Sequence, residues 1–285
     1  LVWFTFGLQE SILFQKEKRK APKALHILIK NSVLALCMEN FPSIASLVKE
    51  NAQLAEMLHQ LGIRYYQDAD KTLDQVCRDK GIDPAKVFQH FELLRKNQDF
   101  DLAQMAPYPI EILVTLLRHS HQLFIKQKLP FLYQTIEEMD EKKFFRPDIA
   151  RDLKLVFPIF AEDFIRHIYE EEDTLFDYIG FLLDCTKEIR NPGKLFFLLK
   201  TRGIQSFSIH HEAHDNELSG IRSLTEEYLL PADADLFSFI LYRELQDFEK
   251  QIKQHAVIEN HLLFPKAMRL ENEVRWRLDQ IGYQG

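Results

Sequence analysis

The sequence predicts an all-α protein: an up-down four-helix bundle preceded by a small helical domain. Three observations carry this. Apolar residues recur at helical spacing along most of the 285 residues, while period-two stretches rich in β-branched residues are scarce. Only 9 glycines are present. Four long helical segments, about 109–138, 147–182, 204–230 and 234–270, are separated by short breaks, and short connections favour antiparallel neighbours in a bundle. The breaks hold Lys142, Lys143 and Pro147, then Asn191, Pro192 and Gly193, then Pro231.

The first bundle segment has the stripe Ile112, Leu113, Leu116, Leu117, Phe124 and Phe131. The second has Phe157, Phe164, Ile168, Leu175 and Ile179, with Pro158 expected to kink the segment or mark its true start. The third runs through Phe207, Leu218, Ile221 and Leu229, and the fourth through Phe237, Leu241, Leu245, Phe248, Ile252 and Leu263. Ahead of the bundle, residues 38–97 form the small domain. Its first helix is expected over Ser43–Leu61, stopped by Gly62. Thr72 caps a second that Gly81 ends, and Asp83 and Pro84 open a third carrying Val87, Phe88, Phe91 and Leu94. Residues 98–108 are read as a linker, 109–271 as the bundle and 272–285 as a tail. Residues 1–37 are read as an appendage. There an apolar run precedes a basic one, the reverse of a signal peptide, and the chain does not begin with Met.

Composition narrows the function. The net charge is −7, and no basic stripe extends beyond Lys16 to Lys23, which argues against a nucleic-acid partner. No apolar run reaches the roughly 18 residues that span a bilayer, so no membrane partner is expected. Cys37, Cys77 and Cys185 form no CxxC pair, which points to a reducing, cytoplasmic setting rather than a disulfide framework.

The chemistry lies in an internal repeat. His167 and Glu171 precede Leu175 and Phe176; His255 and Glu259 precede Leu263 and Phe264. Residues four apart share a helix face, with Cβ atoms roughly 5–6 Å apart, so each pair offers an imidazole and a carboxylate to one point. By helical phase Glu259 falls near the middle of its apolar stripe, with His255 within about 40° of it. Glu171 lies inside its stripe and His167 at the edge. A carboxylate among apolar groups is costly unless paired or metal-bound. The third segment adds His210, His211 and His214, with His214 most central; the first adds His119 and His121, about 200° apart, of which His121 lies slightly closer to the stripe. The expected metal ligands are His121, His167, Glu171, His210, His214, His255 and Glu259, with His119 and His211 as alternates. Imidazoles plus two bridging glutamates suit a redox-active iron pair better than structural zinc, with positions left for water, an oxo or hydroxo bridge, or a diatomic gas. His26, His59, His90 and His261 are read as bystanders. Glu170, Glu172 and Asp173 are read as a solvated face or supporting shell, and Tyr169 and Tyr242 as packing.

These segments resemble a known family. Glu162 to Phe176 and Asp247 to Pro265 are similar to the two signatures of hemerythrin-like (HHE cation-binding) domains, with Asp177 where the first signature usually has Pro. Leu61 to Tyr65, Lys71 to Leu73 and Gly81 to Pro84 resemble the small domain ahead of that bundle in iron–sulfur cluster repair (RIC) di-iron proteins. The resemblance covers about residues 40–270. It implies two non-haem iron ions, a role in repairing clusters damaged by oxidative or nitrosative stress, iron–sulfur client proteins, and O2 or NO as small ligands. A homodimer is compatible with it. The small domain departs from the pattern: Tyr66, Gln67, Asp68 and Ala69 stand where the family has Cys-Cys-Gly-Gly. Two other readings are therefore carried, an O2 or NO sensor or carrier without repair activity and a metal-free helical interaction protein.

Overall fold

The computed structural model describes residues 42–87, 101–212 and 218–282, apart from the side chains of 210–212. The segment read as an appendage lies outside these residues, as do Phe88, Phe91 and Leu94. Secondary structure among the described residues is helical, apart from one isolated antiparallel bridge between Ser43 and Thr72. The chain divides into two compact units, with the boundary between Asp99 and Phe100.

In the first unit, the Ser43 hydroxyl caps the helix Ile44–Glu50 by accepting the Ser46 N–H. The helix expected over Ser43–Leu61 is broken at Asn51. That residue turns extended, and its side-chain carbonyl accepts the Gln53 N–H to start Gln53–Gln60. Asparagine competes in this way with the helical ladder. Gly62, at φ +69°, supplies the left-handed residue that ends the second piece. Thr72 and Gln75 then form a reciprocal capping box for Leu73–Asp79. Ile44, Leu54, Leu58, Ile63, Val76 and Cys77 form the buried interior.

In the second unit, the stretch read as a linker contains the helix Leu102–Met105, and Met105 is buried in the bundle core. The first bundle helix spans residues 110–137 and the second 147–187. In the third position Ile204–Glu212 and Ser219–Leu224 are helical, and the helix ends at Leu224 rather than near residue 230. The fourth helix spans 236–280, about ten residues beyond the expected end, and buries Val274 and Leu278. An additional helix, Pro192–Thr201, is capped by the Asn191 side chain within the break between second and third. Pro158 sits inside Pro147–Glu170 and marks no helix start.

Contacts fix the directions. Leu129–Glu137, late in the first helix, packs on Pro147–Glu170 and on Leu236–Ile258, both early in their helices. Asp177–Lys187, late in the second helix, packs on Phe264–Gln280, late in the fourth. The first helix is therefore antiparallel to the second and fourth, which run parallel to one another, as in an up-down bundle.

Three of these helices carry an internal π turn: Phe124–Lys128, Glu171–Phe176 and Glu259–Leu263. The first and third have one cause. Pro130 and Pro265 lack an N–H, and their rings would strike a carbonyl one α-turn back. The preceding residues, Leu129 and Phe264, instead bond five residues back, to the carbonyls of Phe124 and Glu259, which widens the turn. The second π turn has no proline; there the Thr174 hydroxyl donates to the Glu170 carbonyl.

Buried ions join the elements. Lys128 Nζ lies 2.6 Å from Glu244, and the two residues are 3% and 0% exposed. Glu271 accepts the Ile204 N–H at 2.7 Å and so holds the start of the third helix against the fourth. Glu249 accepts from Arg222, Tyr228 and Lys253. Those donors outweigh burial and hold its carboxyl below the usual range. Lys128→Met should cost about 3–5 kcal/mol because it takes the cation from a fully buried carboxylate, and Lys128→Met/Glu244→Leu should recover most of that. Urea denaturation of both variants measures the difference.

Candidate metal centre

The bundle brings an imidazole from the first helix to the same level as histidine–glutamate turns from the second and fourth. His121, Glu171, His255 and Glu259 each present one ligand atom, and these atoms lie within 4.8 Å of one another. The first, second and fourth helices thus meet at one point. His121 and Glu259 are 1% and 0% exposed, and Glu171 is 7% exposed. His121 Nε2 lies 3.0 Å from His255 Nε2 and 3.2 Å from Glu171 Oε2. His255 Nε2 is 3.3 Å from Glu259 Oε1. His167 reaches the same cluster through Glu171, 3.1 Å from its Oε1.

The π turns open at or just after residues of this cluster. Glu171 and Glu259 are the first residues of two of them, and the third begins three residues after His121. Apolar rings wall the site. Phe176 stacks on His121, with centroids 5.5 Å apart, and the Phe124 ring meets His255 edge-on at 5.8 Å. On the outer side of His167 lies a cleft of about 420 Å³, walled by Val156, Ile159, Phe160 and Phe164 with Asp163, Arg166 and Glu170 at its polar parts.

The electrostatics call for a cation. Burial disfavours a charged His121, yet the hydrogen bond and charge of Glu171, the charge of Glu259 and the hydrogen bond to Glu172 outweigh it. The imidazole is held above its usual range. In the metal-free chain the two carboxylates thus favour the protonated form of His121. A metal ion offers more charge to the same atoms and takes the proton's place, since metal binding and protonation compete for these ligands. Mixed imidazole and carboxylate donors fit iron, manganese or zinc.

His121, not His119, enters the cluster; His119 is exposed on the far side of the helix. His210 and His211 belong to the last turn of Ile204–Glu212, and their side chains, with the whole of His214, lie outside the described residues. His261, Glu170 and Asp173 are exposed, and Tyr169 is on the surface. Glu172 differs from those bystanders, because its Oε1 lies 3.0 Å from His121 Nδ1. The aromatic wall was unassigned in the sequence, although Phe124 and Phe176 flank the ligands at helical spacing. Cys77 and Cys185 are free and buried, and burial pushes both thiols up.

Fold and site together define an all-helical protein whose bundle gathers a histidine–glutamate cluster able to hold metal. No family model matches the chain. It is similar to curated proteins named iron–sulfur cluster repair protein YtfE, from Yersinia pestis (strain Pestoides F) and Yersinia pseudotuberculosis (serotype O:1b, strain IP 31758). To each it is 24% identical over 163 residues, 57% of this chain and 68% of the relative. The chain is thus related to the iron–sulfur cluster repair proteins.

Glu259→Gln separates the two states of the site. Metal-free, it should leave stability within about 1 kcal/mol of the parent or raise it, because it removes one of two buried like charges. The parent should gain about 2.7 kcal/mol with free metal a hundredfold above Kd, and the variant should lose that gain. Thermal unfolding with and without anaerobic iron(II) reads both.

Proposed function

We propose that the bundle is a hemerythrin-like, HHE-type non-haem di-iron centre, and that the protein works in cytoplasmic defence against oxidative and nitrosative stress by repairing damaged iron–sulfur clusters. The observation that carries this reading is the convergence of His121, Glu171, His255 and Glu259 from three helices, buried and within 4.8 Å. Two carboxylates at one point suit two cations, because a glutamate can give one oxygen to each metal. His167 extends the set through Glu171. His210 and His214 are the third-helix ligands in this reading. Bound iron supplies one-electron chemistry and affinity for O2 or NO. The chain's own part is to hold the ligands, exclude bulk water with Phe124 and Phe176, and leave the His167 side open to the cleft. The similarity to proteins named for iron–sulfur cluster repair supports the assignment of clients.

A second reading is favoured by one observation. The first unit has no thiol at residues 66–69, where the turn is instead closed by Asp68 and Lys71 at 2.8 Å, and Cys77 is buried. Without accessible thiols there, a sensor or carrier of O2 or NO is the simpler role. Anaerobic purification should give about two irons per chain. The holo-protein should then restore activity to an oxidatively damaged iron–sulfur enzyme. Iron uptake without rescue selects the second reading, and no uptake from ample iron overturns both.

A further inference from the structure

Two consecutive glutamates bracket one imidazole. Glu171 Oε2 lies 3.2 Å from His121 Nε2, and Glu172 Oε1 lies 3.0 Å from Nδ1 of the same ring. Neighbouring residues of an α-helix diverge by about 100° around the axis and ordinarily do not address one group. Here both sit at the opening of the π turn Glu171–Phe176, where the backbone is wider. The two carboxylates differ in setting: the Glu171 side chain is 8% exposed and belongs to the ligand cluster, whereas that of Glu172 is 30% exposed and stands behind the ring.

We infer that Glu172 is a positioning residue for the metal centre, holding His121 with its proton on Nδ1 so that the Nε2 lone pair faces Glu171, His255 and Glu259. A neutral imidazole carries one proton, and a carboxylate oxygen accepts it, so Glu172 Oε1 at 3.0 Å from Nδ1 fixes the proton there. Nε2 is then the ligand nitrogen. The Phe176 ring, stacked on His121 at 12° between planes, restricts the remaining rotation. Such carboxylate–histidine pairs orient metal-bound imidazoles, and their loss typically weakens metal affinity about 10–100-fold. The inference rests on the metal-centre reading above, but the tautomer it assigns can also be read in the metal-free chain at a pH where the ring has lost its second proton.

The test compares Glu172→Ala and Glu172→Gln with the parent in the full chain. The glutamine oxygen can accept the same Nδ1–H, so Gln restores the geometry without the charge. Iron(II) affinity, measured anaerobically by competition with a chelating dye, should fall about 10–100-fold in the alanine variant and recover most of that in the glutamine variant. Long-range 1H–15N correlation on metal-free, histidine-labelled protein, at a pH where the ring is neutral, should show His121 protonated on Nδ1 in the parent and Glu172→Gln. In Glu172→Ala the Nε2–H form should appear. Unchanged melting temperatures of the metal-free variants exclude loss of fold as the cause. Equal affinity in all three proteins, an equal loss in both variants, or an Nδ1–H ring retained in Glu172→Ala overturns the positioning role. A parent that takes up no iron overturns the di-iron reading instead, and the tautomer measurement then still decides what Glu172 does to the ring.

Discussion

Two carboxylates, Glu171 and Glu259, stand inside an apolar bundle and aim at one point, and the surrounding structure answers that constraint. Two like charges in a low-dielectric interior repel strongly unless a cation lies between or beside them. Everything close by supplies or prepares for positive charge. The carboxylates hold the His121 imidazole above its usual range, His255 and His167 lie within 3.3 Å of the carboxylates, and the wall beyond is aromatic. A bundle that needed only to be stable would have placed leucines at these positions. Retaining the carboxylates means that the metal-free protein gives up stability that a bound metal restores.

The remaining buried acids have a different task. Glu244, Glu249 and Glu271 each meet donors from a second element: Lys128 from the first helix, Arg222 from the third, and the Ile204 N–H that opens the third. Their positions are spread along the fourth helix, one above another, so that helix serves as the spine to which the others are tied. The ion pairs fix which residues meet, while the apolar core around Leu113, Leu117, Ile179 and Leu263 supplies most of the stability. The ligand helices are thereby held in one register.

Much of this was legible in the sequence. The repeat of His and Glu four apart, read against the apolar stripe, located Glu171, Glu259 and His255, because burial at a fixed helical phase needs no tertiary information. His119 and His121, about 200° apart, lie at similar angles from the centre of the stripe, and only packing against Phe176 and His255 places His121 inside. The π turns were hidden although Pro130 and Pro265 signal them, since a mid-helix proline is compatible with a kink, a break or a widened turn. The break at Asn51 escaped periodicity because both halves keep apolar residues in phase. Lys128 and Glu244 escaped it as well, since neither looks buried until its partner is known.

The end of the third helix has a consequence for assembly. Glu226, Glu227 and Tyr228 follow one another in the left-handed region, at φ between 52° and 60°. For residues with a Cβ this conformation costs roughly 1–2 kcal/mol each. Local bonds offset part of it: the Glu227 N–H donates to the Arg222 carbonyl, and the Leu229 N–H to those of Thr225 and Glu226. The turn is held from outside, by Arg146 at the start of the second helix and by Glu249 on the fourth. The shape of this turn is thereby tied to the packing of the second and fourth helices, through one side chain from each.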